Sequence, residues 1–253
     1  MKQELFAFLF LGATVLPLTC RAAPEEIQVY LDDMTAPGHV GLDVHNNFVV
    51  SGDSSPAYQG GSATQHQYRL TPEFYYGITN EIELGMYILA ARDSDGSSRI
   101  DGEKLRVKYI APHDEQAGAF WGVNLEIGKT DLAASPQPWN AELKGIYGYR
   151  AGRWMMAVNP NLDWSLSSGG GPVTLDIDGK IAYSITDKTQ LGLELYNEFG
   201  PVRQLQPWNQ NSKTAYLALD HDFGTVDINA GVGRGLTSDS DKWVIKFILG
   251  SHF

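Results

Sequence analysis

Along most of this chain apolar and polar residues alternate with a period of two, the spacing of a strand with one greasy and one polar face. In "VTLDIDGKIAYSIT", Val173, Leu175, Ile177, Ile181, Tyr183 and Ile185 share one face, and Asp176, Asp178, Lys180 and Ser184 the other. "WMMAVNPNLDWSL" sets Trp154, Met156, Val158, Leu162, Trp164 and Leu166 against Asn159, Asn161 and Asp163. The pattern predicts about twelve strands, near 39–51, 66–78, 81–92, 99–111, 119–130, 140–151, 154–167, 173–186, 190–200, 212–223, 226–237 and 241–253. Each is long enough for a membrane-crossing strand, which needs roughly 9–11 residues. Helical periodicity is slight, and beyond the first residues no run of about 18 apolar residues offers a membrane helix.

The links alternate in length. Thr79-Asn80, Ala151–Arg153, Asp187–Thr189 and Gly224-Thr225 read as tight turns, and longer polar stretches such as "GDSSPAYQGGSATQ" and "PVRQLQPWNQN" lie between them. "PHDEQAG" (Pro112–Gly118) is an exception, too long for its place among the turns. Segregated link lengths with an even strand number predict an all-β fold: a single antiparallel transmembrane β-barrel with short periplasmic turns and longer extracellular loops. The last strand, "WVIKFILGSHF", carries Trp243, Ile245, Phe247, Leu249 and Phe253 on one face. Such an edge left open in water invites aggregation, and closure into a barrel removes it. Aromatic residues fall at two levels: Trp121, Trp154, Phe223 and Phe253 near the turns, and Phe48, Trp139, Trp164, Trp208 and Trp243 near the loops. Two such girdles mark membrane interfaces.

The front of the chain has a different character. Lys2 precedes an apolar run, Leu5–Leu18, of signal-peptide length, with a cleavage site after Ala22. The domain plan is therefore a signal peptide over 1–22, a periplasmic N-terminal segment over 23–38 and an outer-membrane barrel over 39–253. The segment, with "DDMTAPG", is either a loose tail, the reading the sequence favours slightly, or a plug folded into the lumen. Cys20 is the only cysteine, and its loss with the signal removes disulfides and thiol chemistry. The formal net charge of −11 argues against nucleic acid as a partner.

The polar faces collect the candidate lumen lining: Asp43, His45, Arg69, Glu73, Glu81, Glu83, Lys104, Arg106, Lys108, Glu126, Lys144, Asp176, Asp178, Lys180 and Glu194. Glu142, Asp163 and Lys246 share those faces. Lys104, Arg106 and Lys108 on the fourth strand face acidic residues of the third and fifth, so the lining reads as an ion-pair network, a selectivity surface or both. Pro72 and Pro160 lie inside strands, where each removes a ladder hydrogen bond, as a bulge or as a kink that opens a lateral gap.

"EIQVYLDDMTAPG" (Glu26–Gly38), "PEFYYGITNEIELG" (Pro72–Gly85) and the terminal "FILGSHF" carry a resemblance to a known group. The whole mature chain resembles the small outer-membrane channels of the meta-pathway phenol-degradation type, themselves distantly similar to fatty-acid and toluene channels. The resemblance implies passive uptake of small, often apolar or aromatic, molecules, and Phe253 as the end of a motif read by the barrel-assembly machinery. It carries over no binding residue.

Enzymatic readings find little support in the residues. A barrel lipid hydrolase needs a Ser–His pair on its lipid-facing wall. His221, in "LDHDF", lies near the turn end of its strand with no serine evidently paired to it. No spacing resembles a zinc site, and the glycine-rich "SGGGP" and "GVGRG" do not join a strand to a helix. The expectation is a non-enzymatic channel in the outer membrane, without cofactor or metal. Its partners would be outer-membrane lipids, the assembly machinery and a small-molecule solute. The rivals are a structural or adhesive barrel with a sealed lumen and an outer-membrane lipid hydrolase.

Overall fold

Twelve antiparallel strands pair each with the next, and the first pairs with the last, in the computed structural model, which describes residues 26–253. The strands are β1 Val40–Ser51, β2 Tyr68–Gly77, β3 Ile82–Arg92, β4 Ser98–Ile110, β5 Gly118–Thr130 and β6 Trp139–Ala151. They continue with β7 Trp154–Ser165, β8 Thr174–Thr186, β9 Thr189–Pro201, β10 Lys213–Asp222, β11 Val226–Gly235 and β12 Trp243–His252. The seam joins Gly41 to His252 through Ser51 to Trp243. The expected strands and closed antiparallel barrel are thus present, with bounds within two residues of those read from the alternation. The predicted signal peptide, 1–22, lies outside the described residues.

The period of two sets the two faces of the wall. On β5, Trp121, Val123, Leu125 and Ile127 point outward, while Phe120, Gly122, Asn124 and Glu126 point inward and are buried. Outward rows of this kind on every side leave large apolar residues exposed: Leu84, Met86, Leu193, Leu217, Ile245 and Leu249 among them. A closed sheet is what an apolar exterior requires in a bilayer, because no water is there to satisfy an open edge. Both aromatic levels are exposed, with Trp121 and Trp154 toward the turns and Trp139 and Trp243 toward the loops.

Inside, large side chains lie across from glycines on the neighbouring strand. Tyr75 faces Gly41, Phe120 faces Gly148 and Tyr216 faces Gly233. A methyl group at Gly41 or Gly148 would sit 1.9 Å from the facing ring. Arg106 and Lys246 lie likewise opposite Gly85 and Gly231. A barrel with about eight strands fills with side chains and one with 16–18 holds an aqueous channel, so a twelve-stranded wall leaves room for something more.

Residues of the N-terminal segment occupy part of that room. Val29 and Tyr30 are buried with Ile110, Phe120, Ile146, Met155, Ala157 and Ala182 of the wall. Ile27 packs with Val49, Tyr216 and Val244. The segment leaves through the turn end, where Pro37 bridges Gly77 and Gly38 donates to the Gly77 carbonyl at 2.8 Å. The segment that the sequence reading tipped toward a tail therefore runs within the barrel over residues 26–36.

Each intrastrand proline interrupts one ladder. Between β2 and β3 the pairing passes from Leu70↔Ala90 to Glu73↔Tyr87, skipping Pro72 without a change of register. Between β6 and β7 it passes from Lys144↔Asn161 to Tyr147↔Val158, skipping Pro160. On the other side each proline stays in register, Val44↔Pro72 and Pro160↔Ile177. Gly145 makes the room: a Cβ there would lie 3.1 Å from the Pro160 ring.

Candidate functional site

The lumen is an ionic wall around the inner segment. Glu73 on β2 pairs with Arg106 on β4, which also donates to Glu83 on β3 at 2.8 Å. Lys108 lies 3.2 Å from Glu83 and Lys104 3.9 Å from Glu126. On the opposite side Glu194 takes Lys180 at 3.3 Å and Lys246 more closely, and Lys180 reaches Asp220 at 2.8 Å. Most of these groups are buried, and buried charges persist only when paired and hydrogen-bonded.

The sequence-derived candidates distribute as follows. His45, Arg69, Glu73, Glu83, Arg106, Lys108, Glu126, Lys144, Asp178, Lys180 and Glu194 are buried on the inner face. Asp43, partly buried, accepts from the Tyr75 hydroxyl at 2.8 Å, and Lys104 and Asp176 line the lumen toward the loops. Glu81 is a correction. It has the right parity but lies one residue before β3, in the turn, where the Thr79 hydroxyl donates to it at 3.0 Å. His221 on β10 meets the Thr189 hydroxyl at 2.9 Å and lies edge to face with Phe223, and among the described residues no serine hydrogen-bonds to it.

The inner segment is held by side chains that sequence pattern alone did not connect. Asn159 acts as a strand edge for one residue: its Oδ1 accepts from the Tyr30 amide at 2.6 Å and its Nδ2 donates to the Tyr30 carbonyl at 3.1 Å. The Tyr30 and Tyr87 hydroxyls lie 2.5 Å apart. Glu83 accepts from the Thr35 amide at 2.8 Å, Lys108 donates to the Asp33 carbonyl at 2.7 Å, and Lys246 to the Ile27 carbonyl at 3.1 Å. These lysines cap backbone carbonyls that a lone extended segment would otherwise leave unpaired.

At the turn end Asp32 is clasped from two sides. Arg150 forms a two-pronged ion pair with it, and His113 Nε2 donates to it at 2.7 Å. His113 belongs to the unexpectedly long link 111–117, whose length brings that ring beneath the segment. Burial opposes ionisation of Asp32, but the Arg150 and His113 contacts outweigh it and hold its carboxyl below the usual value. Burial likewise opposes charging of His113, yet the Ala111 carbonyl, 2.9 Å from Nδ1, and Asp32 raise the imidazole above its ordinary value. Both ring nitrogens face acceptors, which only the doubly protonated ring can satisfy.

One group of ligand atoms is close enough to suggest a metal. His45 Nε2 lies 3.4 Å from Glu73 and 3.6 Å from Glu26, and the three ligand atoms fall within 4.8 Å of one another. Both carboxylates are already engaged, Glu73 by Arg106 and Glu26 by the Tyr30 hydroxyl at 3.0 Å. His45 thus lies between two carboxyl groups, one from the segment and one from β2, and the cluster fastens the segment to β1 and β2.

Above the segment, toward the loops, the lumen widens into a cavity of about 210 Å³. Its floor is Glu26 and Ile27. Its walls include Glu126, Lys144, Asn161, Asp163, Asp176 and Glu198, and its rim carries loop residues such as Tyr58 and Asp239.

No protein-family model matches the chain, and no curated protein matches it. Its fold is similar to solved outer-membrane proteins. An outer-membrane channel from Pseudomonas putida F1 aligns with a TM-score of 0.61 at 14% identity, over 90% of this chain and 100% of that one. The KdgM porin aligns at 0.55 and 9% identity, and the NanC porin at 0.54 and 12%, each over 84% of this chain and 98% of the other. At these identities the likeness establishes architecture: the chain folds as a closed β-barrel of the kind found among outer-membrane channels and porins.

Proposed function

We propose that the protein is an outer-membrane channel for passive passage of small molecules, with its turns in the periplasm, its loops outside and its inner segment as a gate. The observation that carries this reading is the lumen itself. A barrel with an apolar exterior encloses an ionic, cavity-bearing interior that opens at the loops and is narrowed by a segment held by polar contacts. The fold it shares with channels and porins supports the same reading. A sealed structural barrel is the rival favoured by one observation, the depth at which Val29 and Tyr30 are packed.

A non-enzymatic role is part of the proposal. His221 sits at the turn end between Thr189 and Phe223, far from an arrangement that could activate a serine.

Planar-bilayer recording separates the two. The intact barrel is expected to conduct, and deletion of residues 26–36 to raise unit conductance at least twofold. A barrel closed both with and without those residues would reject the channel.

A further inference from the structure

The cavity at the loop end is rich in acidic side chains. Nine carboxyl groups line it against three basic side chains, Arg69, Lys104 and Lys144. Deeper in the lumen acids and bases alternate as pairs, so the excess is a local property of the vestibule. A second observation is independent of the acid count. Asn161 is 3% exposed, and its amide nitrogen donates to Asp178 at 2.8 Å. That contact fixes the side chain, and its Oδ1, buried and without a hydrogen-bond partner, belongs to the cavity wall. Asp163, two residues along the same strand, lies in hydrogen-bonding contact with Asp176 in the same wall. An orphaned buried acceptor beside this acid-rich lining asks for a ligand that brings hydrogen-bond donors and positive charge.

The spacing narrows the class. Among the described residues, Glu26, His45 and Glu73, at the lumen's centre, form the one group whose ligand atoms gather within 4.8 Å. Among the other vestibule carboxyl groups no three bring their ligand atoms within that distance, so they do not form the many-oxygen shell of a dedicated calcium site. Dispersed acceptors fit an extended cation with several N–H groups. Tyr196 and Tyr216, stacked edge to face at 5.4 Å, together with Ile27 and Val244, give the floor an aromatic and apolar side for its carbon skeleton.

We infer that the vestibule between the loops and Glu26 is a binding site for small organic cations bearing two or more ammonium or guanidinium nitrogens, and that it makes the channel prefer such solutes. The second half of this rests on the channel reading; the binding site does not. Low-dielectric walls of one sign concentrate counter-ions at a pore entrance and set selectivity.

The test uses the full barrel in detergent and in bilayers, with spermidine as probe, calcium and benzoate as comparators, and the double variant Asp163→Asn, Asp176→Asn. Asp187→Asn, in a tight turn at the other end, serves as control. Heat-dependent gel mobility reports that each variant is folded. Calorimetry should show spermidine binding that weakens at least tenfold in the double variant and is unchanged in the control. Under a salt gradient the reversal potential should report cation preference, and spermidine on the loop side should block current. Conductance without cation preference or spermidine binding would overturn the inference and leave the channel standing. Binding without conductance would uphold the site and reject the channel. Calcium displacing spermidine at lower concentration, with the same loss in the double variant, would overturn the organic-cation assignment in favour of an inorganic ion.

Discussion

Single residues decide whether the buried charges of this lumen are tolerable. Glu194, 1% exposed, neutralises two lysines drawn from different strands, Lys180 and Lys246. Glu194→Ala would strip Lys246 of its ion-pair partner and leave Lys180 with Asp220, at a cost of about 3–5 kcal/mol; a large fall in the denaturant midpoint of the refolded barrel checks this. The Asp32 clasp makes a pH prediction. His113 has a raised value, so its contribution is complete below about pH 6.5, its ordinary value, and is lost as pH rises through the raised one. Asp32 has a lowered value, so its contribution is present above about pH 3.9 and is lost as pH falls through the lowered one. Between those limits the clasp is strongest. The unfolding temperature should therefore drop from pH 6 to pH 8, and drop less in His113→Gln. Parity along the strands made nearly all the luminal charges legible, because a side chain's face depends only on odd or even position. Glu81 escaped that rule by lying just past a strand end. Tyr30 and Asn159 were not legible as partners: they are 129 residues apart, and no pattern in the sequence links the two stretches they lie in.

The elements show where local pattern suffices and where it does not. Strand bounds could be read closely since a residue facing lipid must be apolar and one facing the lumen is free to be charged, so each strand announces both of its ends. The inner segment, residues 26–36, gave no such signal. "EIQVYLDD" alternates only briefly, and the same residues would suit a tail in water or a strand against a wall. Its exit is set by Gly77, where a Cβ would lie 2.3 Å and 2.4 Å from the carbonyl oxygens of Thr35 and Ala36. Gly77→Val should push the segment off the wall while leaving β2 paired with β1. Chymotrypsin would then cut between Tyr30 and Leu31, which the intact barrel protects, and unit conductance would rise. Continued protection in that variant would mean the segment is fastened by its upper contacts alone. The prolines were seen in the sequence as ladder breaks, and each breaks one ladder only. Whether a break opens a path to lipid depends on the packing around it, which no strand pattern encodes.

At the scale of the whole molecule, one hydrophobic pattern encodes both a membrane-facing cylinder and its closure, and the lumen is what that closure encloses. Alternation and link lengths predicted the architecture because lipid imposes the same condition on every strand. Solute choice depends instead on how a few side chains sum their charge across the vestibule, which is a property of the assembled ring. The route of the inner segment has a consequence for how this ring is made. Ile27 touches Val49 on β1 and Val244 on β12, the two strands that meet last along the chain, and Lys246 of β12 caps the Ile27 carbonyl. These contacts bridge the seam from within and come together only when the first and last strands meet. The segment is thus a staple across the join: it docks fully only against a closed cylinder, and the closed cylinder gains those contacts from it.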